Sequence, residues 1–278
     1  MFRGFYTVAS GMIAYQRKAE MLTNNMANVH TPGFKADQSA MRAFPEMLLK
    51  RIDEMTIPTE KKLNILKTPT VGSLNTGVYM QEAIPNFKQG DLQETSLPTD
   101  LALLDVLVPT SEETGLNGAL FFTIQHPTDG LRYTRNGNFT IDPEGFLTTS
   151  AGWYVLDDEG NRIQLPNDDF MVRPNGVIEA NGQEIAQIGI AFAENVHALQ
   201  KDGEGLYRLP EGTLPNANEV DGVQYQLRQG FIERSNVDPT RTMTDLLTAF
   251  RAFEANQKVL QAYDRSMEKA TNEIGRIG

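Results

Sequence analysis

The chain has 278 residues, with 25 Lys+Arg against 36 Asp+Glu for a formal net charge of −11, and it contains no cysteine. An acidic balance of this size excludes a nucleic-acid binder or a polybasic membrane-surface protein, because both need a basic face for phosphate. The missing cysteines remove disulfides, thiolate catalysis and cysteine metal sites, while a hydrophobic fraction of 40% is enough for a sizeable core.

At the N-terminus, Phe5, Val8, Met12, Tyr15, Ala19, Leu22 and Met26 recur at alternating steps of three and four. That spacing predicts an amphipathic helix of about seven turns with a narrow, coiled-coil-like apolar face. Thr31-Pro32-Gly33 ends it, since proline cannot continue a helix and glycine accepts the turn beyond. The N-terminal stretch carries Thr7, Ser10 and Gly11 and is followed by Arg17, Lys18 and Glu20, which argues against a cleaved signal peptide. Elsewhere Leu101–Val108 and Ile185–Ala193 are strand-sized, well short of the ~18 apolar residues of a membrane span, so no membrane insertion is expected.

Residues 37–82 read as a connector. Met41, Phe44, Leu48 and Ile52 predict a short helix interrupted by Pro45, followed by an extended segment. From 83 to 230 the texture changes to strands and tight turns. Turn signals recur at Asn136-Gly137, Asp142-Pro143-Glu144-Gly145, Asp158-Glu159-Gly160, Pro174-Asn175-Gly176 and Asn181-Gly182. The runs between them are β-branched and aromatic, at Phe121–Ile124, Arg132–Thr134, Phe139–Ile141, Gly152–Leu156, Val177–Ala180 and Ile185–Phe192. Together they predict an all-β sandwich or barrel.

Residues 231–278 return to helical texture. Asp238 is a suitable N-cap and Pro239 a favoured first helical residue. The helix then presents Met243, Leu246, Phe250, Phe253, Gln257, Leu260, Tyr263 and Met267 at steps of three or four, all apolar but Gln257. The fold expected is therefore α+β: a discontinuous helical coiled-coil domain from segments 1–36 and 231–278, around a central all-β domain. Two such faces leave large apolar side chains uncovered by one another, so they are expected to form subunit interfaces.

Chemistry is sparse. His30, His126 and His197 have no ligand spacing, and Gly203-Glu204-Gly205 lacks the third glycine of a phosphate loop. The acid pairs Asp157-Asp158 and Asp168-Asp169 lie among turn residues, where aspartate bonds local backbone. No catalytic residue, metal site or cofactor is expected.

Three motifs carry a resemblance. Ser10-Gly11-Met12, Asn24–Val29 and Thr31-Pro32-Gly33-Phe34-Lys35 are similar to the N-terminal signature of bacterial flagellar rod and hook proteins. Ser235-Asn236-Val237-Asp238 and Arg251-Ala252-Phe253-Glu254-Ala255-Asn256 resemble the matching tail signature, and Tyr133–Phe139 the middle-domain motif. The rod branch is the best fit, in particular the distal-rod type of Gram-positive bacilli, to which Phe44-Pro45-Glu46-Met47-Leu48 is also similar.

The resemblance implies a basal-body rod subunit, exported by the flagellar type III apparatus without a cleaved signal and located in the cell envelope. Its partners would be copies of itself and other rod or hook proteins, met through the terminal helices. Asn28, Thr31, Pro32, Gly33 and Phe34 would form a hinge between helix and body. A chain passed through a channel suits the lack of cysteine. The alternatives are a hook component or a β-rich carbohydrate-binding protein with helical oligomerisation tails, its candidate aromatics being Tyr133, Trp153 and Tyr154.

Overall fold

In a computed structural model, which describes residues 3–50, 53–57, 63–67, 70–111, 115–127, 130–167 and 170–274, the N-terminal periodicity becomes one helix, α1 (Arg3–Ala27). The C-terminal periodicity becomes α2 (Pro239–Lys269), which begins on the expected proline. The protein is α+β and mostly β between the helices. It divides into two units, one of Met1–Asn24, Gln38–Ala83 and Thr240–Gly278, the other of Asn25–Asp37 and Ile84–Pro239.

In the helical unit α1 and α2 run antiparallel. Gly4 faces the Tyr263 ring, Gly11 faces Asn256, and Ala19 and Leu22 pack with Ala249, flanked by Tyr15, Met21 and Leu246. The buried positions of α1 in this unit are Gly11, Ala14, Ala19 and Leu22. This inner face is built largely from small residues, which let the helices approach closely. Of the α1 positions in the predicted coiled-coil seam, Ala19 and Leu22 are buried against Ala249 with Tyr15 beside them, while Phe5, Val8, Met12 and Met26 are only half-buried.

Beyond α1 lies an antiparallel ribbon. Met41–Ala43 pairs with Val78–Met80, Met47–Lys50 with Thr70–Leu74, and Asp53–Ile57 with Leu63–Lys67. The predicted short helix over Met41, Phe44 and Leu48 is corrected to two strands with Phe44 in the break between them, while Ile52 lies outside the described residues. Pro45 supplies no helical N–H, and the ladder gives the backbone other partners: the Phe44 N–H donates to the Gly77 carbonyl at 3.0 Å. Thr7 Oγ1 donates to the Thr76 carbonyl and Ser10 Oγ accepts from the Val78 N–H, tying α1 to the ribbon.

The β unit is centred on the strand Ala119–Gln125. It pairs with Leu131–Thr134 on one side, and with Tyr154–Val155 and Ile190–Ala193 on the other. Successive side chains point to opposite faces. Leu120, Phe122 and Ile124 join one core with Leu101, Leu103, Phe139, Leu147 and Ile178, while Ala119 and Phe121 join a second with Tyr133, Ala191, Val196 and Tyr207. Burial on both faces is why Ala119–Phe122 reads as an unbroken apolar run.

Two expectations are revised here. The predicted strand Ile185–Phe192 is two strands: Gln183–Gln187 pairs with Val177–Ala180, and Ile190–Ala193 joins the central strand. Gly189 makes the break, because a Cβ there would meet the Asp157 and Leu156 carbonyls. Asn136-Gly137 is not a hairpin turn between neighbours, since Leu131–Thr134 and Phe139–Ile141 are not adjacent in the sheet. Gly137 instead lies against Leu101, whose N–H donates to the Gly137 carbonyl at 2.9 Å. Asn181-Gly182 does form the expected hairpin, with φ +55° and +74° and Ala180 opposite Gln183.

Candidate functional site: a buried charge clasp and an exposed helical face

Three segments of the β unit bring charged side chains into its interior. Lys35 follows the turn after α1, Arg135 follows the strand Leu131–Thr134, and Glu233 ends the strand Phe231–Glu233. Glu233 Oε1 accepts from Lys35 Nζ at 2.6 Å and from the Gly90 N–H at 2.7 Å, and its Oε2 accepts from Arg135 Nε at 2.7 Å. Arg135 completes its guanidinium with Asp105 Oδ1 and Oδ2 at 2.8 and 3.0 Å and the carbonyls of Leu120 and Leu103 at 2.8 and 2.9 Å. All five of its N–H donors are thereby engaged. Lys35 Nζ also donates to the Lys88 carbonyl at 2.9 Å.

The electrostatics follow from burial and pairing. Burial alone pushes the Glu233 carboxyl up, but Arg135 and Lys35 together hold it below the ordinary carboxylate range. Burial and the neighbouring Arg135 charge lower Lys35, against the opposing pull of Glu233. Burial works against the Arg135 charge too, yet Glu233 and Asp105 raise its pKa above the usual value. Two cations and two carboxylates cancel, which is the condition for holding charge in a dry interior.

Amides and glycine frame this clasp. Asn25 Nδ2 donates to the Asp37 carbonyl and its Oδ1 accepts from the Asp37 N–H, both at 2.9 Å, closing the loop between them. Asn236 Oδ1 accepts from the Ala36 N–H at 2.7 Å, and its Nδ2 donates to the carbonyls of Asn86 and Lys88. The Gly33 N–H donates to the Glu233 carbonyl at 2.8 Å with φ +68°, and a Cβ on Gly33 would land on the Arg135 carbonyl group. Only glycine meets both conditions.

The predicted hinge residues lie in this turn. Thr31 Oγ1 donates to Asn28 Oδ1 at 3.1 Å, the Phe34 N–H donates to the Thr31 carbonyl, and Lys201 Nζ sits 4.8 Å over the Phe34 ring; Pro32 lies between them. Asn25, Lys35, Arg135 and Asn236 stand inside the sequence motifs with no role assigned by spacing, while Asp105 and Glu233 lie outside them. The signal available for Asp105 was a lone charge within the apolar run Leu101–Leu107.

The predicted interface residues scatter around the helical surface. Leu22 is buried, and Tyr15 and Leu246 pack on the inner cluster. Phe5, Val8, Met12, Met26, Phe253, Leu260, Tyr263 and Met267 are half-buried, whereas Met243 and Phe250 are exposed. Tyr6 and Ile13 on α1, with Met243, Leu247, Phe250 and Val259 on α2, form the outward apolar set at 44–67% exposure. Tyr6, Ile13, Leu247 and Val259 are members that the periodicity did not select.

Among the described residues no group of acids and histidines is placed to hold a metal, and no helix is long and apolar enough to cross a membrane. Asp157 Oδ1 accepts from the N–H groups of Glu159 and Asn161, closing its own turn, and Asp168 and Asp169 lie outside the described residues.

The described residues form a helix-flanked β protein whose buried charges at the clasp are paired with one another. Comparison with known proteins makes this specific. A flagella basal body rod protein model matches residues 5–35, a flagellar hook protein FlgE/F/G D1 domain model matches 115–183, and a flagellar basal body rod FlgEFG protein C-terminal model matches 228–273. Each contributes one member of the clasp: Lys35, Arg135 and Glu233.

The chain is 47% identical to the flagellar hook-basal body complex protein FlhO of Bacillus subtilis over the whole of both chains. It is 32% identical to the basal-body rod protein FlgG of that organism, over 98% of this chain and 99% of the relative. It is 30% identical to the basal-body rod protein FlgF of Caulobacter vibrioides, over 100% and 99%. The chain belongs to the flagellar basal-body rod protein family and is a structural component of the flagellar basal body.

Proposed function

We propose that this chain is an axial subunit without enzymatic activity or membrane insertion, assembling with copies of itself and with other rod or hook proteins. The terminal segments 1–36 and 231–278 supply the axial contacts, and 83–230 forms the outer β body. The observation carrying this reading is the outward apolar set on α1 and α2. The inner face of the pair is already packed, yet Tyr6, Ile13, Met243, Leu247, Phe250 and Val259 remain uncovered, and patches of that kind mark interaction sites. In the assembled state these faces meet neighbouring helices and complete the coiled-coil packing that the monomer lacks. Head-to-tail contacts that do not close extend into a filament. Delivery through the flagellar type III export apparatus fits a chain without disulfides.

The test is Leu247→Asp in a strain lacking the native gene. Leu247 is exposed, so the charge leaves the helix pair intact and strikes only the outward face. Electron microscopy is expected to find rods that stop short, with motility lost. Swimming at the normal rate with complete basal bodies would overturn the assignment of this face.

A further inference from the structure

The chain passes between its two units at four places, next to residues 25, 37, 84 and 239. On the β-unit side all four ends are gathered by one set of polar contacts. Asn25 is bonded to Asp37, the Asn86 N–H donates to the Ala36 carbonyl at 2.9 Å, and Asn236 bonds both Ala36 and the Asn86 carbonyl. The clasp lies directly beside them, through Lys35, Lys88, Gly90 and Glu233.

The contacts differ sharply in how far apart in sequence their members are. Arg135 finds Asp105, Leu120 and Leu103 within 32 residues. Lys35 has Glu233 as its carboxylate, 198 residues away, and Ala36 reaches Asn236 across 200. A lysine ammonium enters a dry interior only with its counter-charge present. Closing so long a loop comes late unless earlier contacts have shortened it.

We infer that Glu233 and Asn236 form a completion lock, in which the turn Gly33–Ala36 and the segment Asn86–Gly90 stay undocked until residues 231–236 arrive and seat all four ends together. The central hairpin of Ala119–Gln125 with Leu131–Thr134, by contrast, closes across a short loop and needs no residue of 231–236. The base of α1 and the base of α2 thus become fixed in one step, late in folding. The inference does not depend on assembly and is read on the purified, full-length chain.

Pulse-labelled amide exchange during refolding tests it. The amides of Gly33, Ala36, Asn86 and Gly90 are expected to gain protection in the same phase as residues 231–236, and after Phe121–Ile124. Protection of Gly33–Ala36 before residues 231–236 would overturn the lock. At equilibrium, Glu233→Ala is expected to speed exchange at those four amides by about tenfold or more, with Phe121–Ile124 unchanged. Unchanged exchange at Gly33 and Ala36 would also overturn it. If Glu233→Ala does not fold, the refolding order of the native sequence decides the matter alone.

Discussion

Glu233 and Arg135 stand 98 positions apart in sequence, yet meet at 2.7 Å through Oε2 and Nε, each side chain 1% exposed. Neither charge has water to fall back on. The pair is sustained because Glu233 also takes Lys35 and the Gly90 N–H, while Arg135 takes Asp105 and two carbonyls. The two termini of the β unit and its middle are thus joined through one carboxylate.

Breaking the clasp should be more harmful than removing it. Glu233→Leu leaves two buried cations facing one carboxylate and is expected to cost about 3–5 kcal/mol of stability. Replacing Lys35, Arg135 and Glu233 together by apolar residues of similar volume removes both buried cations and leaves only Asp105, whose side chain is 20% exposed, to turn to water, and should recover part of that loss. Urea denaturation of both proteins measures the difference. A single variant as stable as the triple would mean that the charges are not coupled.

Stability should depend on pH through these groups. The Glu233 pKa lies below its unfolded value of 4.5, so between the two values the unfolded chain holds the extra proton. Stability therefore rises with pH through that window and is lost as pH falls through it. The lowered Lys35 pKa acts in the same sense on the alkaline side, where the folded chain sheds its proton before the unfolded one does at 10.5. Denaturation midpoints followed from acid to alkaline pH should show both rises. Glu233→Gln should flatten the acid one and Lys35→Met the alkaline one.

Two glycines separate conformational strain from close approach. Gly152 has φ +84° with no heavy atom near an added Cβ, whereas Gly33 has φ +68° and the Arg135 backbone in the way. Gly152→Ala should cost about 1–2 kcal/mol for the left-handed conformation alone. Gly33→Ala should cost clearly more and should also raise amide exchange at Ala36. Thermal melts rank the two, and equal losses would mean that the turn moves aside to admit the methyl group.

The helices, the all-β body and the Asn181-Gly182 hairpin were legible in the sequence because each is set by local periodicity or a local φ requirement. Motif order carried the family. The clasp was not legible, since Lys35, Arg135 and Glu233 carry no spacing that announces their meeting across 198 residues. The ribbon failed as a helix because Met41, Phe44 and Leu48 also fit a helical step, and the deciding partner strands lie some thirty residues on, at Thr70–Leu74 and Val78–Met80. The outward helical set was only partly found: large apolar residues mark both sides of a helix whose inner face uses Gly11, Ala14 and Ala19.

The charge of the chain is divided unequally, and this bears on assembly. The β unit holds 10 Lys+Arg against 25 Asp+Glu, a net charge of −15, while the helical unit holds 15 against 11, a net charge of +4. In a stack of copies, neighbouring β units repel, and the apolar helix faces must overcome that repulsion. The screening length falls from ~30 Å at 0.01 M salt to ~8 Å at 0.15 M. Self-association of the purified chain should therefore strengthen as salt rises over this range, and Leu247→Asp should stay monomeric throughout. Sedimentation velocity at the two salt concentrations measures it. Weakening with salt would show instead that attraction between a positive helical unit and the β unit of another copy drives contact, and would shift the assembly surface away from the outward apolar set.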